Sequence, residues 1–252
     1  MATRAKAKAP LPPLEIATTG QDAVAPPSTR RRVLGWVTVG AFLVLGWAAF
    51  FLAPQDDVQG APQRIFYIHV PSAWIGFLAF FVVFVASLRF LRTRDLRLDA
   101  LAVSSAEIGL LFTTGVLVTG PLWARPIWGV FWSWDPRLTS FLVLWLIYLS
   151  YLAMRQYVPD PMRRARFSAV LGIVGFADVP VVYLSVRWWR ALHPDQVVFV
   201  SGGPRMPTEM IVALVIGIAA FTLFYLYLLT VRLRVRRLRD SLEEEAWTRS
   251  ST

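Results

Sequence analysis

The stretch from Val70 to Leu91, VPSAWIGFLAFFVVFVASLRFL, carries no ionisable side chain until Arg89. A helix needs about 20 mostly apolar residues to cross a ~30 Å hydrocarbon layer, so this segment alone selects a bilayer as its solvent. Five similar runs accompany it, at 33–53, 103–122, 137–154, 166–186 and 209–230. The whole chain agrees: 56% of its 252 residues are hydrophobic and its mean hydropathy is +0.52, too apolar for a soluble domain. The expected fold is an all-α polytopic membrane protein with six transmembrane helices.

The flanks of the same stretch introduce everything else. On its C-terminal side stand Arg89, Arg92, Arg94 and Arg97, and on its N-terminal side stands His69. Lys and Arg accumulate on the cytoplasmic side of membrane proteins. They cluster in the N-terminal tail, in the 2–3 and 4–5 connectors and after the last span, leaving outside only Arg64, Arg125, Arg137, Arg187, Arg190 and Arg205 of 26. Both termini are therefore expected to be cytoplasmic. This arrangement accounts for the net charge of +10 as an orientation signal, with no nucleic acid partner.

Three parts follow: a disordered basic cytoplasmic tail at 1–32, a six-helix membrane domain at 33–231, and a basic then acidic cytoplasmic segment at 232–252. The first apolar run lacks a small-residue cleavage site and is read as a retained helix. The absence of cysteine excludes disulfides, thiolate metal sites and the CxxCH motif of covalent haem attachment. No Walker motif is present, so the chain supplies no ATPase of its own.

On this topology the chain's two histidines, His69 in the 1–2 connector and His193 in the 5–6 connector, both face outward. So does WGVFWSWDP, Trp128 to Pro136, in the 3–4 connector, and so do Trp188 and Trp189. Imidazoles can fill both axial positions of a haem iron, a porphyrin is a broad apolar disc that stacks on indoles, and arginines match its propionates. Arg125, Arg187 and Arg190 are available for that purpose. Simpler readings stand beside this one. Tryptophans form interfacial belts in many membrane proteins, Asp135 followed by Pro136 starts a helix by capping it, and His69-Val-Pro71 likewise reads as a helix start. Glu107 in the third run and Asp178 in the fifth are ionisable groups inside apolar spans. For Asp178 a structural hydrogen bond or a protonated acid beside the Pro180 break is expected over a proton relay, and Glu107 is expected to reach the interface.

Three segments, QRIFYIHVPSAW (63–74), TGPLWARPIWGVFWSWDPRLTS (119–140) and YLSVRWWRALHP (183–194), resemble in order and spacing the signature segments of the CcmC family, haem exporter protein C of bacterial cytochrome c maturation. The likeness covers about residues 33 to 231. Two departures are Pro136, where some members carry Ala, and the long tail. The resemblance implies that His69 and His193 are the axial ligands of a haem b held as substrate at the outer face of the cytoplasmic membrane. It further implies that Trp128, Trp132, Trp134 and Asp135 cradle the porphyrin, with Trp123 and Trp189 as secondary contacts. The implied partners are a periplasmic haem chaperone of the CcmE type, the ATPase CcmA, the membrane subunit CcmB and a small CcmD-type protein. A haem permease and a CcsA-type cytochrome c synthase component are the alternative readings. The synthase resembles a longer bundle with more histidines. A transmembrane b-type cytochrome fits less well, because it ligates haem through histidines within its spans.

Overall fold

The computed structural model describes residues 28–189 and 206–250, with side chains described as far as 239. Seven α-helices make up the described chain: α1 (Thr29–Trp47), α2 (Phe66–Thr93), α3 (Leu96–Trp128), α4 (Pro136–Tyr157), α5 (Pro161–Phe176), α6 (Asp178–Trp188) and α7 (Thr208–Ser250). Together with two short segments they form six spans long and apolar enough to cross a membrane, α5 and α6 sharing the fifth. The chain is an all-α polytopic membrane protein.

Four spans extend well past the apolar runs read from sequence. The second begins at Ala61 in a 3-10 turn, Ala61–Ile65, and passes through polar residues that would end a hydropathy window. Those residues are satisfied internally. Gln63 is buried against Tyr67 and Met210, and the Arg64 Nε–H donates to the Ala49 carbonyl (3.2 Å). That carbonyl lies in a π-helical turn, Ala48–Leu52, which closes the first span. A π-turn re-aims carbonyls out of the regular ladder, and here one meets an arginine. Because the helix begins before His69, Pro71 lies inside α2 and does not mark its start.

The fifth run, expected as one helix, is two. α5 ends at Phe176, Ala177 is a turn, and α6 starts at Asp178. Pro180 has no N–H to offer the Phe176 carbonyl four residues back, so the ladder is interrupted there. The break does not satisfy Asp178, whose Oδ2 is buried with no hydrogen-bond partner.

α2 and α3 form the centre of the bundle. Their seam is lined by small side chains: a Cβ on Gly76 would lie 2.6 Å from Thr113, and one on Gly109 would lie 2.6 Å from Phe80. Such close backbone approach drives helix association where lipid removes the hydrophobic difference. α1 and α7 pack on one side of this pair, around Leu45, Tyr67, Ile75, Phe112 and Phe221. α4 and α6 pack on the other side around Phe80, Leu144, Tyr148 and Val182, with Phe80 stacked on Tyr148 at 3.5 Å. Ser105 ties three helices together, donating to the Ala79 carbonyl (2.9 Å) and meeting the Tyr225 hydroxyl (2.7 Å).

Glu107, expected to reach the interface, has partners within the bundle. Its carboxylate is held by Arg232 and Arg236, one turn apart on α7, and Arg236 also reaches Ser104 (3.1 Å). Nearby, Arg155 grips Asp99 with two parallel bonds of 2.7 Å and donates to Ser168 (2.8 Å), linking α3, α4 and α5. These ion pairs gather at the end of the bundle where α2 meets α3.

Candidate functional site

The opposite end carries the residues singled out from sequence. His69 sits in the first turn of α2, half-buried, and α3 cradles it with three residues of one turn. The Thr119 hydroxyl lies 2.9 Å from His69 Nδ1, and the Trp123 indole meets the imidazole edge-on with centroids 5.6 Å apart. Between them Gly120 faces the ring, and a Cβ there would stand 3.4 Å from Cε1. Thr119 and Trp123 are four apart, so one helical face presents both. Trp123 is in turn anchored from the α1–α2 connection, donating its indole N–H to Gln59 Oε1 (3.0 Å).

Trp123 and Arg125 therefore belong to a helix, and the irregular α3–α4 connection is shorter than the tryptophan-rich stretch suggests. α3 runs to Trp128 and stops at Gly129, whose φ of +75° suits glycine best. The Arg125 guanidinium donates to the Gly129 carbonyl and lies over the Phe131 ring at 5.4 Å. Arg125 is thus a brace for the turn. Beyond it the chain displays Trp128, Phe131 and Trp134, exposed by 39%, 55% and 76%. Trp132 is turned inward, edge-on to Trp134 (5.6 Å), and its indole N–H is buried without a hydrogen-bond partner.

Asp135 is the N-cap of α4. One carboxylate oxygen accepts the backbone N–H groups of Arg137 (3.0 Å) and Leu138 (2.9 Å), and the other accepts the Ser133 hydroxyl (3.0 Å). The same Asp-Pro device starts α5 at Asp160 and Pro161, where no tryptophan accompanies it. Capping is what the dipeptide does in both places. On the neighbouring α6, which packs against α4, the exposed Trp188 and Trp189 stand edge-on to one another (5.7 Å), with Arg187 exposed beside them. His193 and Arg190 lie outside the described residues, so the structure brings His69 together with Trp123 and does not address its pairing with His193.

Sequence reasoning missed Thr119. Its signal was present in T-G-P-L-W, a hydroxyl, a gap and an indole on one helical face directly before the aromatic stretch.

A family model for CcmC, heme exporter protein C, matches residues 22–248. The chain belongs to the CcmC family. It is 40% identical over 210 residues to the heme exporter protein C of Bradyrhizobium diazoefficiens, covering 82% of this chain and 80% of that one. The corresponding protein of Paracoccus denitrificans is 37% identical over 217 residues, covering 84% and 90%. That of Escherichia coli K12 is 34% identical over 212 residues, covering 81% and 82%. The CcmC match spans all six crossings and both ends of the bundle described above, including every segment that carries the candidate site.

Proposed function

We propose that this CcmC-family chain binds haem at the periplasmic face of the bacterial cytoplasmic membrane and presents it to a haem chaperone of the CcmE type during cytochrome c maturation. It works beside CcmA, CcmB and a CcmD-type protein, with both of its termini cytoplasmic as the arginine distribution requires. Haem is the cargo. The membrane domain at 33–231 handles it.

The observation that carries the reading is the seating of His69. An axial ligand needs an imidazole held in one orientation by a partner on its other nitrogen, and His69 has Thr119 at 2.9 Å and Trp123 across its edge. Around it the chain supplies what a porphyrin requires. Trp128, Trp134 and Phe131 offer broad exposed apolar faces, and Trp188 and Trp189 offer two more at the end of α6. Exposed aromatics also line the spans, but a cluster of them gathered in one connection between helices supports a binding surface. The inward Trp132 holds an indole N–H without a partner, a donor suited to a carboxylate. Arg187 and Arg190 are the cations for the propionates. Arg125 joins them with the donors of its five that the Gly129 carbonyl does not take.

In this reading the porphyrin lies against the tryptophan surface, His69 and His193 approach the iron from opposite faces, and Asp135 sets the angle at which the loop leaves α4. The chain's own residues bind, orient and expose the cargo. No proton transfer or hydrolysis is asked of them. Purifying the protein with haem tests the reading: wild type should show the low-spin spectrum of two imidazole ligands, and replacement of both histidines by alanine should abolish it. An unchanged spectrum in the double variant would sink the ligand assignment.

A further inference from the structure

We infer that Thr119 is a positioning residue that fixes the tautomer of His69, placing the proton on Nδ1 and the lone pair on Nε2; this rests on the reading of His69 as an iron ligand and specifies which nitrogen does the ligating. The Thr119 Oγ1 lies 2.8 Å from the Gly115 carbonyl, one turn back on α3, and 2.9 Å from His69 Nδ1. A hydroxyl has one hydrogen and two lone pairs, and a carbonyl can only accept. Thr119 therefore donates to Gly115, in the back-bond common to threonines in helices, and presents a lone pair to the imidazole. Nδ1 must then carry the hydrogen. With the opposite tautomer, one of the two contacts would set acceptor against acceptor at close range.

The surroundings hold the ring to that contact. Trp123 stands against one edge, and Gly120 leaves room for Cε1 where a larger residue would push the ring off Thr119. Metal-bound histidines use the same logic: a partner on one nitrogen sets which nitrogen is left for the metal and raises its basicity. Here that partner belongs to α3, so the rotation of α3 about its own axis sets the direction in which Nε2 points.

The test has two arms. The chain has two histidines, so His193→Ala leaves His69 as the sole imidazole, and nitrogen NMR of the haem-free protein labelled at histidine reads its tautomer directly. The protonated nitrogen should be Nδ1. Thr119→Val, which keeps shape and removes the hydroxyl, should shift the population toward protonated Nε2, and Thr119→Ser should restore it. In the second arm, with both histidines present, Thr119→Val should weaken haem retention about ten-fold or more and move the reduction potential of the bound iron, with Thr119→Ser close to wild type. A parent protein protonated at Nε2, or a valine variant with unchanged tautomer, would overturn the inference; so would unchanged haem retention and potential in the valine variant. Absence of haem from every protein, wild type included, counts against the ligand reading instead, and the tautomer arm then decides the role of Thr119 alone.

Discussion

The two ends of the bundle handle polarity in opposite ways. At the end where α2 meets α3, charges are inside and matched: Asp99 with Arg155 and Ser168, Glu107 with Arg232 and Arg236. At the other end, the α3–α4 connection holds Trp128, Phe131 and Trp134 outside and buries the Trp132 indole N–H without a hydrogen-bond partner; the buried atoms left unpaired toward the first end, the Ser87 and Tyr151 hydroxyls, have no such exposed indoles beside them. A buried group that is fully paired holds structure together. An unpaired donor beside exposed indoles has free energy still to gain, and a ligand is what can supply it. On the proposed function, stability belongs to the first end and recognition to the second.

Substitutions at each end put that division at risk. The largest effect on stability is expected from Asp99→Asn, because its pair with Arg155 has little exposure, 13% and 10%, and removing one partner of such a pair costs about 3–5 kcal/mol. Unfolding in detergent measures it, and haem bound per folded molecule should not change. Glu107→Gln leaves Arg232 and Arg236 facing each other. These groups are partly solvated, so the loss should be smaller, about 1–2 kcal/mol after screening. Gly129→Ala forces a side chain into the left-handed region, about 1–2 kcal/mol, and should also disturb the loop enough to weaken haem binding, which makes it the one variant expected to register at both ends of the comparison. Smallest of all in stability is Trp134→Ala, within about 0.5 kcal/mol for so exposed a residue, yet it should lower haem affinity measurably. If Asp99→Asn lost haem without losing stability, or Trp134→Ala the reverse, the division between the two ends would fail.

Hydropathy made the six spans legible, since about 20 mostly apolar residues in a row leave few alternatives. Pro180 announced the interruption in the fifth. What local reading could not follow was the extension of helices across Gln63, Arg64 and His69, because a polar residue is tolerated in a span only when a distant element answers it. Ala49 and Met210 provide those answers for Arg64 and Gln63. The Glu107 cluster escaped for the same reason: the spacing of Arg232 and Arg236 shows a shared face, but which carboxylate they meet depends on how α7 packs. At the candidate site, the cap at Asp135 was readable because an Asp-Pro pair acts through its own backbone neighbours. Thr119 was not, because its role exists only once α2 lies beside α3.

The turn at Ala177 has a mechanical consequence. A continuous helix resists bending along its whole length, since any bend must stretch hydrogen bonds, whereas one lacking a donor at Pro180 has its compliance concentrated at a single point. α6 is seated on α4 through Val182 and leads to Trp188 and Trp189, while α5 packs on Phe90 through Ala165 and Ala169. The fifth span is therefore jointed at Ala177, between a half held to α2 and a half that carries Trp188 toward the aromatic surface.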